Sequence, residues 1–329
     1  MKRVPCLTAL LLAAVVTPAL LAFPAADDSL AAAQRQFEAG SYSAAVTTLQ
    51  TILVQSKTSA AANYWLTRCY YELRDYDKAI ASGEQAAKLE PGNSLYHQWL
   101  GRAYGGKADR ERSFFLARKT KKEFEDAVRL DPGNLSARRD LEEFYLEAPW
   151  ILGGSKDAAM EQVNAIAAKD PVEGHLAKGV YWRDAKKMDL AEAEYRWVLQ
   201  LKPNLADPYF EVADFYQHQN DPAKMQEAID AAARVNPSAP RLSYYRGAAG
   251  VLAGTNLNEA ERYLKSYIAS APDRSEWPSH AAAREMLGQL YEKMGRRMEA
   301  AEQYRASLQL EPNRKSARER LQNLEKAQH

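Results

Sequence analysis

Seven prolines divide most of the chain: Pro91, Pro132, Pro171, Pro203, Pro237, Pro272 and Pro312, spaced 41, 39, 32, 34, 35 and 40 residues apart. A proline removes a backbone donor and restricts the residue before it, so each is expected to close a helix. The stretch ending at the last of them, residues 281–313, reads as two short amphipathic helices joined by a tight turn. Leu287, Gly288 and Tyr291 share a face of the first helix, and Ala300, Tyr304, Ser307 and Leu308 face back from the second. Gly295 suits the positive φ that ends the first helix. Gly288 and Ala300 are small enough to let two backbones approach, with large residues filling the space beside them.

The same pattern of small and large positions recurs. Between residues 62 and 93 it falls on Leu66, Tyr70, Tyr76, Ala79, Ala86 and Pro91. Further copies use Gly179, Trp182, Ala191, Tyr195, Val198 and Pro203, then Tyr209, Ala213, Tyr216, Ile229, Ala232 and Pro237. These units resemble the tetratricopeptide repeat, a helix–turn–helix of about 34 residues. The resemblance implies an all-α, right-handed superhelical solenoid. About eight repeats would span residues 27–314, followed by a capping helix and tail over 315–329. Asp27, Asp28 and Ser29 offer N-cap chemistry to an atypical first repeat. Leu321 and Leu324 would cover the last core layer.

Three of the spacings exceed the period. An insertion near 105–122 carries Lys107, Arg110, Arg112, Arg118, Lys119, Lys121 and Lys122 around Phe114, Phe115 and Leu116. It reads as a lengthened helix with a solvated basic face, or as a docking element with an apolar tip. A second insertion, at 147–159, is broken by Pro149, turned by Gly153 and Gly154, and capped by Ser155. Its Trp150, Ile151 and Leu152 are expected to fold back over the core, the alternative being an exposed apolar contact. Gly-Gly-Ser-Lys at 153–156 lacks the spacing of a phosphate loop. A linker at 273–280 separates the seventh repeat from the eighth, and Pro278 and Ser279 suit a helix start.

Lys2 and Arg3, an apolar run from Leu7 to Leu21 and small residues at 22–26 have the order of a secretory signal. We therefore expect an exported protein, periplasmic or secreted, with residues 1–22 removed and no membrane span afterwards. Without Lys2 and Arg3 the balance is 42 basic against 43 acidic residues. That neutrality argues against nucleic-acid binding, which needs excess cations. Cys69 would be the single remaining cysteine, on an inward face, so no intramolecular disulfide is available.

No catalytic constellation is visible. His97, His175, His218, His280 and His329 are scattered, no metal-ligand pair or nucleophile elbow occurs, and adjacent Glu142 and Glu143 point apart on a helix. We expect no enzyme activity, cofactor or metal. The family resemblance implies a concave groove, lined by the first helix of each pair, that holds extended peptides. By register the groove residues are Tyr64, Arg68, Tyr71, Gln98, Arg102 and Arg139 in front, and Asp207, Phe210, Asp214, Tyr245, Glu285 and Glu292 behind. Arg68, Arg102 and Arg139 are candidates to receive an acidic segment, since guanidinium forks grip carboxylates. The implied role is a protein-interaction scaffold. The alternative is an accessory or substrate-recruiting subunit of an envelope complex.

Overall fold

The computed structural model describes residues 26–326, which form seventeen α-helices, one 3-10 turn and no strand. The leader read at 1–22 lies outside the described residues. The helices pair into hairpins: α1 (Ala26–Glu38) with α2 (Tyr42–Gln55), α3 (Ala60–Glu72) with α4 (Tyr76–Leu89), and α5 (Ser94–Glu111) with α6 (Phe114–Leu130). Then α7 (Leu135–Glu147) pairs with α8 (Lys156–Ala167) across the 3-10 turn Trp150–Leu152, and α9 (Pro171–Asp184) with α10 (Met188–Leu201). Next come α11 (Asp207–His218) with α12 (Pro222–Val235), α13 (Arg241–Ala253) with α14 (Leu257–Ser270), and α15 (His280–Lys293) with α16 (Arg297–Leu310). Helix α17 (Lys315–Lys326) closes the stack, burying Ala317 and Leu324.

Several hairpins close where a ring meets a glycine. A Cβ on Gly179 would stand 2.7 Å from Tyr195 Cζ, and one on Gly101 would stand 2.6 Å from the Phe124 ring. Gly288 faces Tyr304 in the same way. Tyr195 and Tyr304 are fully enclosed. The first helices of successive pairs also touch one another, from α1–α3 through to α13–α15. They therefore line the inside of a curve, and the second helices lie outside.

The turns between paired helices share one backbone device, a residue at positive φ. Gly40 and Gly295 supply it at +74°. Arg74, Arg112, Lys186 and Asn220 stand at equivalent turns with φ between 53° and 58°. For an L-residue with a long side chain this conformation costs about 1–2 kcal/mol.

Several sequence expectations need correction. The described part of α1 starts at Ala26, so Asp27, Asp28 and Ser29 lie within the helix instead of capping it. Pro171 opens α9 at its first position, where a missing N–H does no harm, instead of trailing α8. Of the trio at 150–152 only Leu152 is buried; Trp150 is 85% and Ile151 59% exposed. The 3-10 turn rotates successive residues around too tight a helix for all three to face inward. The basic insertion lengthens both α5 and α6 and turns at Arg112–Ser113, leaving Phe114 and Phe115 exposed at its tip.

Two substitutions with opposite signs test this account. Gly179→Val pushes a branched side chain into the Tyr195 ring and should destabilise by about 1–3 kcal/mol. Lys186→Gly relieves a positive φ and should stabilise by up to about 1 kcal/mol. Urea unfolding midpoints read both; equal midpoints would contradict the packing and the strain alike.

Candidate functional site

The inner wall is built on α1, α3, α5 and α7 at one end and α11, α13 and α15 at the other. Arg68, on α3, stands among four rings. Its guanidinium carbon is 4.5 Å from the Phe37 centroid, 4.4 Å from Trp65, 4.6 Å from Trp99 and 5.7 Å from Tyr64. Its Nε is buried without a hydrogen-bond partner. No carboxylate among the described residues lies within ion-pair distance of it.

The other two arginines are already engaged. Arg102 donates from Nε to Asp140 Oδ2 at 2.7 Å and from Nη1 to Glu276 Oε1 at 2.6 Å. Its guanidinium also lies 4.6 Å over Trp99. Arg139 donates to Glu211 at 3.0 Å, with Glu173 at 3.5 Å and Glu142 at 3.9 Å. Gln98 is buried and donates to Ser136 Oγ at 2.7 Å and Asp140 Oδ2 at 2.8 Å, so it orients Asp140 and is not offered to a ligand. Tyr71 meets Trp99 edge-on, with ring centroids 5.7 Å apart.

Behind, Phe210 is buried and stacks on Tyr245 at 5.3 Å, so both rings belong to the core's inner margin. Asp207 pairs with Arg241. Asp214 holds His218 at 3.4 Å. Glu285 accepts from Arg314 at 2.8 Å, and Glu292 accepts from Tyr304 at 2.8 Å and Arg320 at 3.1 Å. The anionic back half is thus largely neutralised from within.

A cavity of about 900 Å³ opens along the front half of the wall, bordered by Tyr71, Arg102, Asp109, Glu143, Glu147 and Glu276. A smaller one of about 340 Å³ is bordered by Tyr71, Arg74, Trp277 and Arg314. Ser275 borders both. The linker read from sequence at 273–280 therefore reaches into the concave space. Nothing local in the sequence marks that reach.

His97, Glu123 and Asp126 also come together, with ligand atoms within 4.8 Å, although 26 residues separate His97 from Glu123. His97 is bonded through both ring nitrogens, to Glu123 and to the Pro91 carbonyl, and Asp126 pairs with Lys122 and Arg129. These bonds account for the cluster without an ion. Cys69 is fully buried, and burial pushes its thiol up to about 12, so it is not a nucleophile.

Family models described as tetratricopeptide repeat match residues 36–104 and 281–314. Among solved structures the chain is similar to the APC/C hetero-tetramer Cut9-Hcn1, at 13% identity and TM-score 0.52, covering 91% of this chain and 56% of that one. It is similar to a tetratricopeptide repeat protein from Parabacteroides merdae ATCC 43184, at 14% identity and TM-score 0.51, covering 80% and 98%. A thermophilic TPR protein of Thermus thermophilus aligns at 22% identity and TM-score 0.49, covering 58% and 99%. No curated protein matches. Matched repeats and similar folds agree on an all-α repeat solenoid.

Glu142 supplies a test of the inner wall's electrostatics. It is enclosed, neither carboxyl oxygen has a hydrogen-bond partner, and burial raises its pKa to about 8 against a nearby Arg139 that lowers it. The folded state therefore keeps a proton that the unfolded chain releases near its ordinary 4.5. This contribution is fully present below that value and is lost as pH rises toward 8. Glu142→Gln should gain stability relative to the parent as pH rises from 5 to 8. Parallel pH profiles of the urea midpoint would contradict this.

Proposed function

We propose that this tetratricopeptide-repeat solenoid is a protein-interaction scaffold that takes extended polypeptide segments along its inner wall. Its work on this reading is binding, not chemistry. The observation that carries it is Arg68: a guanidinium held among four aromatic rings, with no counter-ion among the described residues. A partly desolvated cation without a carboxylate is costly, and a partner's acidic side chain or chain terminus would relieve that cost. The flanking rings supply rigid contact area. Because the wall is preformed by stacked helices, little ordering cost falls on the receptor side.

The exposed tips suggest a second surface for a second role. Phe114, Phe115, Trp150 and Ile151 stand clear of the core, and the 3-10 turn packs on α6. This favours the alternative of an accessory subunit that docks on a larger complex while the groove recruits a client. The leader-like start of the sequence supports an exported location, periplasmic or secreted. Nothing in the groove's charge pattern points to nucleic acid.

An array of extended acidic peptides, read by fluorescence anisotropy, tests the groove. Arg68→Gln should weaken the best binder by about tenfold or more, the loss of one charge-assisted hydrogen bond, and Arg68→Glu by more still. Unchanged affinity in Arg68→Glu, with the fold intact by circular dichroism, would remove the proposal.

A further inference from the structure

The segment Pro272–Pro278 crosses from the seventh hairpin to the first three. Its roots are held locally. Tyr267 Oη donates to the Pro278 carbonyl at 2.6 Å, and the His280 amide donates to Asp273 Oδ1 at 3.0 Å. Its middle is held by the other end of the chain. The Ser275 amide donates to Glu72 at 2.8 Å, Arg274 donates to the Glu38 carbonyl at 2.7 Å, and Glu276 accepts from Arg102 at 2.6 Å. Gly40 leaves room for Pro272, since a Cβ there would lie 2.5 Å from the proline's own.

Rings and guanidiniums alternate through this strap. Arg241 lies 4.4 Å from Phe210 and 5.3 Å from Trp277, and Arg274 lies 4.8 Å from Trp277 and 5.9 Å from Phe37. Arg68 and Arg102 then continue the series through Phe37 and Trp99. Trp277 thus lies between Arg241 of α13 and the strap's own Arg274, so Arg241 is what the wall offers its ring, and Glu276 occupies the free side of Arg102.

We propose that the strap is a tethered ligand: Glu276 and Trp277 fill an acidic-plus-aromatic subsite of the groove, and a partner segment presenting an acidic residue beside an aromatic one displaces them. This rests on the groove-binding reading above and names the partner's chemistry. The strap is held in a way that permits displacement. Glu276 is 64% and Glu38 58% exposed, and ion pairs with one partner so exposed are weak. What the strap has in its favour is its tether, which keeps its local concentration high. An incoming segment must therefore either bind more tightly or extend further along the wall, toward Arg68. Capture frees the first three hairpins from the seventh.

The probe is a fluorescein-labelled peptide of residues 271–280, added to the full chain. Glu276→Ala/Trp277→Ala should bind it at least tenfold more tightly than the parent, whose own strap competes. Adding Arg102→Glu to that variant should abolish the gain, and a peptide with both positions changed to Ala should not bind. A folded double variant that binds the peptide no better than the parent overturns the tethered-ligand proposal. If acidic array peptides still bind such a variant in an Arg68-dependent way, the groove reading stands and only the strap inference falls. If the double variant does not fold, hydrogen exchange of the parent decides: excess peptide should speed exchange at the Ser275 amide, and no change overturns the proposal.

Discussion

An aromatic ring pressed against a glycine backbone sets the geometry of the hairpins that carry one. Where Tyr195 meets Gly179 or Phe124 meets Gly101, no side chain separates the two helices, so the pair closes on that side. The first helices then crowd together along the inner edge, and the stack must bend toward them. Curvature here is a consequence of side-chain size at a few positions, repeated from pair to pair. A bend repeated along the stack is what brings the seventh hairpin within reach of the first. The contact between Pro272 and Gly40 exists only because many small packing choices add in the same direction.

Charge follows from that shape. On a flat surface Arg102, Arg139, Asp140 and Glu211 would be solvated and screened. On a concave wall they face one another across a space that excludes part of the water, so each cation gathers carboxylates from neighbouring hairpins. This explains how a chain of nearly balanced charge can hold so many ions on one face. Burial raises the pKa of Glu142, the neighbouring carboxylates Glu143 and Glu211 add to the rise, and Arg139 opposes it. Arg68 differs because its neighbours are rings, which stabilise a cation through their faces but offer no negative charge to neutralise it.

What the sequence disclosed was whatever depends on near neighbours. Gly288 with Tyr304, Ser155 as a cap accepting from the Ala158 amide, Ser279 before α15 and Gly295 after it can all be read within one repeat. The register of the inner helices follows from the same period, and Tyr71 and Arg102, on those helices, border the front cavity. Partnership could not be read. Glu276 lies 174 residues from Arg102, and Glu72 lies 203 residues from Ser275. No local pattern announces a pairing that depends on the summed curvature of intervening hairpins. Burial failed for a related reason at Gln98 and Phe210: register gives the face of a helix, but not whether a neighbour already covers it. The positive φ at Arg74 and Lys186 was hidden because residue type alone argued for ordinary backbone there, and packing of the hairpin overrode it.

The strap places a constraint on any account of the groove as an open trough. With Glu276 on Arg102 and Trp277 against Arg241, the inner wall is already in contact with a segment of its own chain, one that turns at Ser275–Glu276. Near that segment Arg68 stands among rings, its buried Nε without a hydrogen-bond partner. On the tethered-ligand proposal, an incoming segment that merely matched the strap could displace it only by outweighing the tether's high local concentration. If the groove binds as proposed, selectivity comes from what the strap does not supply, a negative charge at Arg68. On the proposed reading, Arg68 and the strap act together, the cation giving a partner a reason to bind and the strap setting the threshold it has to exceed.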